Sequence, residues 1–202
     1  AHITEVFGYL PCPDTTGDGE SDPPCGNAGE ASVGLFPFKT LGLPDLHDGA
    51  GGCLWYAVAG SFKNLPKAAA TVMNWDTQGQ FRVRDAGGNT LVAPDDAEGG
   101  AAAVVFAAGP PIAGQSRGVF AAEPCRTDPS LLSAYLDGGY TPATFATNAA
   151  IALIQGPVTD GNGNVTNNDR VVWITPREIF DRIAKRQDFS NPLAATPVGQ
   201  LN

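Results

Sequence analysis

Cys12 and Cys25 enclose the stretch that most limits what this chain can become: Cys12-Pro-Asp14-Thr-Thr16-Gly-Asp18-Gly19-Glu20-Ser-Asp22-Pro-Pro-Cys25. Its glycines and prolines are turn residues, so neither a helix nor a strand is expected to run through it. Two cysteines close in sequence can staple its ends. Aspartates at near-alternate positions can turn their oxygens on one point, as a hard cation such as Ca²⁺ requires. Counted from Asp14, Thr16, Asp18, Gly19, Glu20 and Asp22 fall on the third, fifth, sixth, seventh and ninth positions of an EF-hand-type loop. The twelfth position, which should be a bidentate Glu, is Cys25, and no helical repeat flanks the loop. The reading is therefore a stapled acidic loop and not an EF-hand. Asp14, Thr16, Asp18, Glu20 and Asp22 are its candidate Ca²⁺ ligands, of extracellular-module affinity, ~0.1–1 mM.

The cysteine count of four suits two disulfides in an oxidising compartment. Cys12–Cys25 is the local pair, and Cys53–Cys125 follows by elimination. Each would stabilise by ~3–5 kcal/mol on the loop-entropy model. A zinc site is disfavoured, because there is no C-x₂-C and the only histidines are His2 and His47. The 202 residues suit one domain, expected over 1–189, with a loose polar tail over 190–202. The hydrophobic share of 43% is enough for a core. A net charge of −9 with scattered basic residues argues against nucleic acid, which needs clustered Lys and Arg. No stretch reaches the ~18 apolar residues of a membrane span. No signal peptide pattern is visible, so an extracytoplasmic protein is expected to have lost its targeting segment.

Periodicity supplies the elements. Leu54–Phe62 and Ala101–Ala108 read as buried strands, and Val171–Ile174 as another. Gln80–Arg84, the turn Asp85–Asn89 and Thr90–Ala93 read as a hairpin. Ile3–Tyr9 reads as a helix remnant and Leu131–Leu136 as a helical turn, while 149–154 is ambiguous. Thr175, Pro176 and Glu178 form a capping box with Pro at the first helical position. Ile179, Phe180 and Ile183 give that helix, expected to about Gln187, an apolar face. Glu178–Arg182 and Asp181–Lys185 are expected i,i+4 pairs. The fold class expected is α+β, with one antiparallel sheet covered by the N-terminal remnant and the Thr175–Gln187 helix.

Catalytic signals are thin. Gly114-Gln-Ser116-Arg-Gly118 matches G-x-S-x-G, but a hydrolase needs a base His after the Ser, and none follows His47. His47 sits between Asp45 and Asp48 in a turn-rich segment and reads as a loop histidine. Gly49–Gly52 lacks a P-loop Lys. The run from Asp160 to Asn164 reads as a plain turn. Asn164-Val-Thr166 is a formal glycosylation sequon. No enzymatic activity is expected.

Several blocks resemble the soluble part of bacterial prepilin-type proteins, the type IV minor pilins and type II secretion pseudopilins. They are Gly8–Gly19, Gly34-Leu-Phe-Pro-Phe-Lys-Thr-Leu-Gly-Leu-Pro44 and Leu54-Trp-Tyr-Ala-Val58. Weaker blocks are 104–110, Gly114-Gln-Ser-Arg117 and Asn168-Asp-Arg-Val-Val-Trp-Ile-Thr175. The resemblance implies a pilin-like head and an N-terminal hydrophobic helix that anchors the precursor in the inner membrane and later packs in a filament core. It implies other pilin-like subunits as partners and a periplasmic or extracellular location. Some pilin-like heads bind calcium in an acidic loop, which here would be Asp14, Asp18 and Asp22. The expectation is a structural or minor subunit of such a filament. The alternative is a calcium-dependent adhesin at a cell surface or pilus tip, with a surface ligand.

Overall fold

The computed structural model describes residues 8–68, 73–117 and 131–185. Nine strands and three helices lie within them, and β-structure dominates. The first sheet holds β1 (Ser32–Leu35), β2 (Leu54–Val58), β5 (Ala103–Ala107) and β9 (Arg170–Ile174), in the order β1-β2-β5-β9. Every pairing in it is antiparallel. The second holds β3 (Phe81–Arg84), β4 (Thr90–Val92) and β6 (Ile151–Ile154), in the order β4-β3-β6. β7 (Val158–Thr159) and β8 (Val165–Asn167) form a separate two-stranded ribbon. The helices are α1 (Leu132–Tyr135), α2 (Pro142–Phe145) and α3 (Pro176–Ala184).

The expected strands all form, but not in one sheet. Leu54–Val58, Ala103–Ala107 and Arg170–Ile174 share the first sheet, joined by β1, which the sequence reading left in a Gly/Pro-rich segment. The Phe81–Val92 hairpin belongs to the second sheet, where β6 runs parallel to β3. That settles the ambiguous 149–154 segment as a strand. Its Ile151 and Leu153 are buried in step with Phe81 and Val83, so period-two alternation assigns one face of each strand to the core. An isolated bridge between Phe81 and Ala101 ties the sheets together. At that junction a Cβ on Gly79 would stand 2.1 Å from the Ala101 carbonyl oxygen, so only glycine fits.

The core lies between the sheets and the short helices. Trp55, Phe62, Phe81, Phe106, Phe145 and Leu132 are among its fully buried side chains. Trp55 meets Tyr135 of α1 at 5.4 Å between ring centroids, and Phe81 meets Phe145 of α2 at 6.3 Å. α3 starts where the capping box places it. The Glu178 amide donates to Thr175 Oγ1 at 3.2 Å, and the Thr175 amide donates to Glu178 Oε2 at 2.8 Å. Ile179, Phe180 and Ile183 are buried. The expected Glu178–Arg182 and Asp181–Lys185 ion pairs do not form. Glu178 turns back to cap the helix, and the neighbouring Arg177 reaches Glu98 at 3.3 Å.

Of the expected N-terminal helix, Ile3–Phe7 lies outside the described residues, as do Arg186, Gln187 and the 190–202 tail. Gly8 is in a turn with φ 90°. No helix among the described residues is long and apolar enough to cross a membrane.

Candidate functional site

The acidic loop is stapled as expected by Cys12–Cys25, with Cα atoms 5.7 Å apart. Cys53 is also disulfide-bonded; its expected partner, Cys125, lies outside the described residues. Within the loop the carboxylates face amides. Asp14 is 1% exposed. Its Oδ1 accepts from the amides of Thr16 (3.0 Å) and Gly17 (2.6 Å), and its Oδ2 from that of Gly19 (2.6 Å). Asp22 Oδ2 accepts from the amides of Thr15 (2.6 Å) and Thr16 (3.0 Å) and from both threonine hydroxyls. Burial works to raise the Asp22 carboxyl, but these hydrogen bonds together overcome it and leave it below the usual carboxylate range.

Asp14 is also anchored from below by exchanging backbone hydrogen bonds with Leu35. Lys39 donates to the Asp18 carbonyl, and the Ser21 amide donates to Thr40 Oγ1. A Cβ on Gly19 would fall 2.5 Å from the Phe38 ring, which shows how closely the loop wraps that side chain. The structure thus brings Asp14, Thr16 and Asp22 together around amide donors, while Asp18 and Glu20 are exposed. Among the described residues no group of three or more His, Cys, Asp or Glu side chains stands where it could hold a metal ion. Asp18 Oδ1 accepts from the Glu20 amide (2.8 Å), so the loop carboxylate oxygens without a hydrogen bond among the described residues are Oδ2 of Asp18, both of Glu20 and Oδ1 of Asp22.

Behind the staple, Lys63 is 0% exposed. Its Nζ donates to the carbonyls of Cys25 (2.5 Å) and Asn27 (2.6 Å). Desolvation lowers its pKa, and Glu30 opposes that only in part.

The motifs weighed for catalysis resolve differently. Ser116 is exposed, while Gln115 and Arg117 on either side turn inward. His47 Nε2 lies 3.4 Å from Asp45 Oδ2. Asp48 accepts from the amides of Gly52 and Gly109, tying that loop to the end of β5. The 160–164 turn is closed by Asp160, which accepts from the amides of Asn162 and Asn164.

Sequence reasoning missed a buried polar cluster around Arg117, Asp137 and Asp169. Arg117 Nε donates to the Ala134 carbonyl (2.9 Å), Nη2 donates to the Tyr135 carbonyl (3.0 Å) and Nη1 to that of Gly109. Its guanidinium lies 4.9 Å above the Tyr135 ring. Gln115 Nε2 donates to Asp137 Oδ1 (2.8 Å), and the Asn168 amide donates to Asp137 Oδ2 (2.6 Å). The Asp137 amide in turn donates to Asp169 Oδ2 (2.7 Å). Asp169 Oδ1 is buried without a hydrogen-bond partner among the described residues. Burial first, and the Asp137 charge second, push the Asp169 carboxyl up to about 7. Tyr140 beside it is pushed up to about 12, chiefly by its own burial. The cluster joins the Gln115–Arg117 and Asn168–Asp169 segments, two of the blocks quoted for the prepilin resemblance. The available signal was two carboxylates and an arginine in short polar breaks between apolar runs.

The face of the first sheet opposite Trp55 and Phe106 is apolar through its middle, with Ser32 and Arg170 at its margins. Tyr56, Val105 and Val172 form one cross-strand row on it, and Val172 is 65% exposed. A groove of about 240 Å³ runs there between the sheet, Leu10 and Pro11 on one side and Phe36 and Leu41 on another. The Tyr56 hydroxyl donates to the Pro11 carbonyl at 3.2 Å, fixing the chain at the groove's edge. In comparisons with known proteins the chain matches no family model, no curated protein and no solved structure.

Proposed function

We propose that this chain is the head of a pilin-like subunit, a non-enzymatic component of a type IV pilus-like or type II secretion pseudopilus filament. The observation that carries this reading is the apolar groove on one face of the four-stranded antiparallel sheet, with Val172 exposed in it. An antiparallel sheet with one face in water ordinarily alternates apolar and polar residues. Here the row runs from buried Tyr56 through half-buried Val105 to exposed Val172, on the face opposite Trp55, Val104 and Phe106, and Leu10 and Pro11 deliver the chain to it. A sheet with two apolar faces needs a second covering layer, and a helix is the usual one. In this reading the layer is the hydrophobic N-terminal helix of the precursor. That helix also anchors the chain in the inner membrane before assembly, and other pilin-like subunits are its partners. Burying Val172 there would contribute about 1–2 kcal/mol.

The test is Val172→Asp in the native gene. The exposed side chain leaves the head folded, and the variant is expected to be absent from filaments sheared off cells that incorporate the wild type. Incorporation of the variant at wild-type level overturns the reading.

Calcium belongs to this proposal in narrowed form. The loop is already closed by amides, so a cation would act on the Asp18, Glu20 and Asp22 oxygens and add stability without being needed for folding.

A further inference from the structure

Trp75 is the exposed aromatic that the core does not account for, at 60% exposure. It is not loose: its ring lies 4.9 Å from that of Phe180 on α3, tilted by 32°. One side of the indole is thereby held against a buried side chain. Beside it opens a groove of about 490 Å³ between the 75–78 segment, the 96–99 turn and the start of α3. Its charged lining is Asp76, Asp96, Glu98, Asp181 and Arg177. Four carboxylates therefore face one guanidinium, and that guanidinium is already on Glu98 at 3.3 Å. Asp96 is fixed by the amides of Ala93 (2.6 Å), Glu98 (2.8 Å) and Gly99 (3.0 Å). Asp76 and Asp181 are different: neither carboxylate makes a hydrogen bond or ion pair among the described residues. A second hollow of about 300 Å³ shares Asp76 and Gln78 and continues toward Ser61 and Asn148, so the groove is elongated and polar.

We propose that this groove docks an extended segment of a partner protein that carries arginine, with the guanidinium on the Trp75 face between Asp76 and Asp181. Tryptophan is the best aromatic face for a cation, and carboxylates give an arginine its strongest hydrogen bonds. The surplus negative charge selects a cation over a neutral sugar. Rigid tryptophans with polar rims are also where interface energy concentrates. This inference stands apart from the filament reading, since it concerns the opposite chemistry on a different surface.

The test is a titration of the folded, oxidised head with a blocked tri-arginine peptide, read by tryptophan emission. Trp55 is buried and Trp173 half-buried, which leaves Trp75 as the most solvent-exposed reporter. Saturable binding is expected, weakening as salt rises from about 20 to about 300 mM. Asp76→Asn with Asp181→Asn should weaken it about tenfold; in isothermal calorimetry, which does not depend on the reporter, Trp75→Ala should abolish binding while Trp75→Phe keeps part. Asp85→Asn with Asp160→Asn, which removes the same charge from exposed turns elsewhere, should change it little. Absence of saturation, or equal loss in both charge-matched pairs, overturns the proposal. So does chitotriose saturating the emission where tri-arginine does not.

Discussion

Asp169→Asn should remove most of the pH dependence of stability between pH 5 and 8. Asp169 is 1% exposed and has one carboxylate oxygen without a partner. The groups facing it are Asp137 from the turn after α1, Arg117 from the loop after β5, and Tyr140. Burial and Asp137 outweigh Arg117, and the carboxyl titrates at about 7 in place of 3.8. A raised folded pKa means the folded state holds its proton where the unfolded chain has lost it. The resulting stability is fully present below the unfolded value and is lost as pH rises through the folded value. A shift of about 3 units at 1.36 kcal/mol each gives about 4 kcal/mol over the whole window, roughly two thirds of it between pH 5 and 8. Asparagine keeps an oxygen for the Asp137 amide but cannot ionise. Urea unfolding at several pH values, disulfides intact, should show the wild type losing about 3 kcal/mol from pH 5 to 8 and the variant staying nearly level. Parallel profiles for the two proteins would refute the argument. Asp22, Asp85 and Asp160, held below 3.8, act at lower pH and with the opposite sign.

Other outcomes follow from single contacts. Asp14→Ala should cost about 2–3 kcal/mol in thermal or chemical unfolding, because three amides, that of Gly19 buried, lose a charged acceptor. Calcium should raise the melting temperature above its value in EDTA, by the equivalent of about 1.4 kcal/mol at ten times Kd. Asp18→Ala should cancel that rise with little change in the metal-free protein, and an unchanged melting temperature removes calcium from the proposal. Within one motif, Ser116→Ala should be neutral, while Arg117→Ala should destabilise by about 2–3 kcal/mol by leaving the carbonyls of Ala134, Tyr135 and Gly109 without their donor. Gly79→Ala should destabilise by about 1–3 kcal/mol as the two sheets are forced apart, measurable as a lower urea midpoint.

What could be read in advance depended on how local the cause was. The capping box at Thr175–Glu178 is a contact over three residues, and its helix begins where expected. The Asp85–Asn89 turn and its flanking alternation gave the β3–β4 hairpin for the same reason. The division into two sheets was not legible, because it depends on β6 meeting β3 across the 66 positions between Arg84 and Ile151. β1 was hidden because Ser32-Val-Gly-Leu35 is short, and glycine there reads as a turn. In fact a Cβ on Gly34 would stand 2.6 Å from the Asp14 carbonyl oxygen. The acidic loop was found, but not what its carboxylates do: Asp-x-x-Gly spacing offers oxygens equally to a cation and to the loop's own amides. The Arg117–Asp137–Asp169 cluster draws on three separated segments, each unremarked by spacing alone.

Lys63 gives the stapled loop a property that spacing could not suggest. A carbonyl pair gathered around a metal depends on how much of that metal the surroundings contain. The carbonyls of Cys25 and Asn27 are gathered around an ammonium that belongs to the chain. Such a counter-ion is present at an effective concentration fixed by the fold, so dialysis, chelators and ionic composition do not change its occupancy. Burial has lowered the affinity of this ammonium for its proton, so the unfolded chain holds that proton more tightly and rising pH does not by itself work against the fold here. Neither removal of divalent ions nor a change of buffer salt, then, should be the condition under which this end of the loop first comes undone.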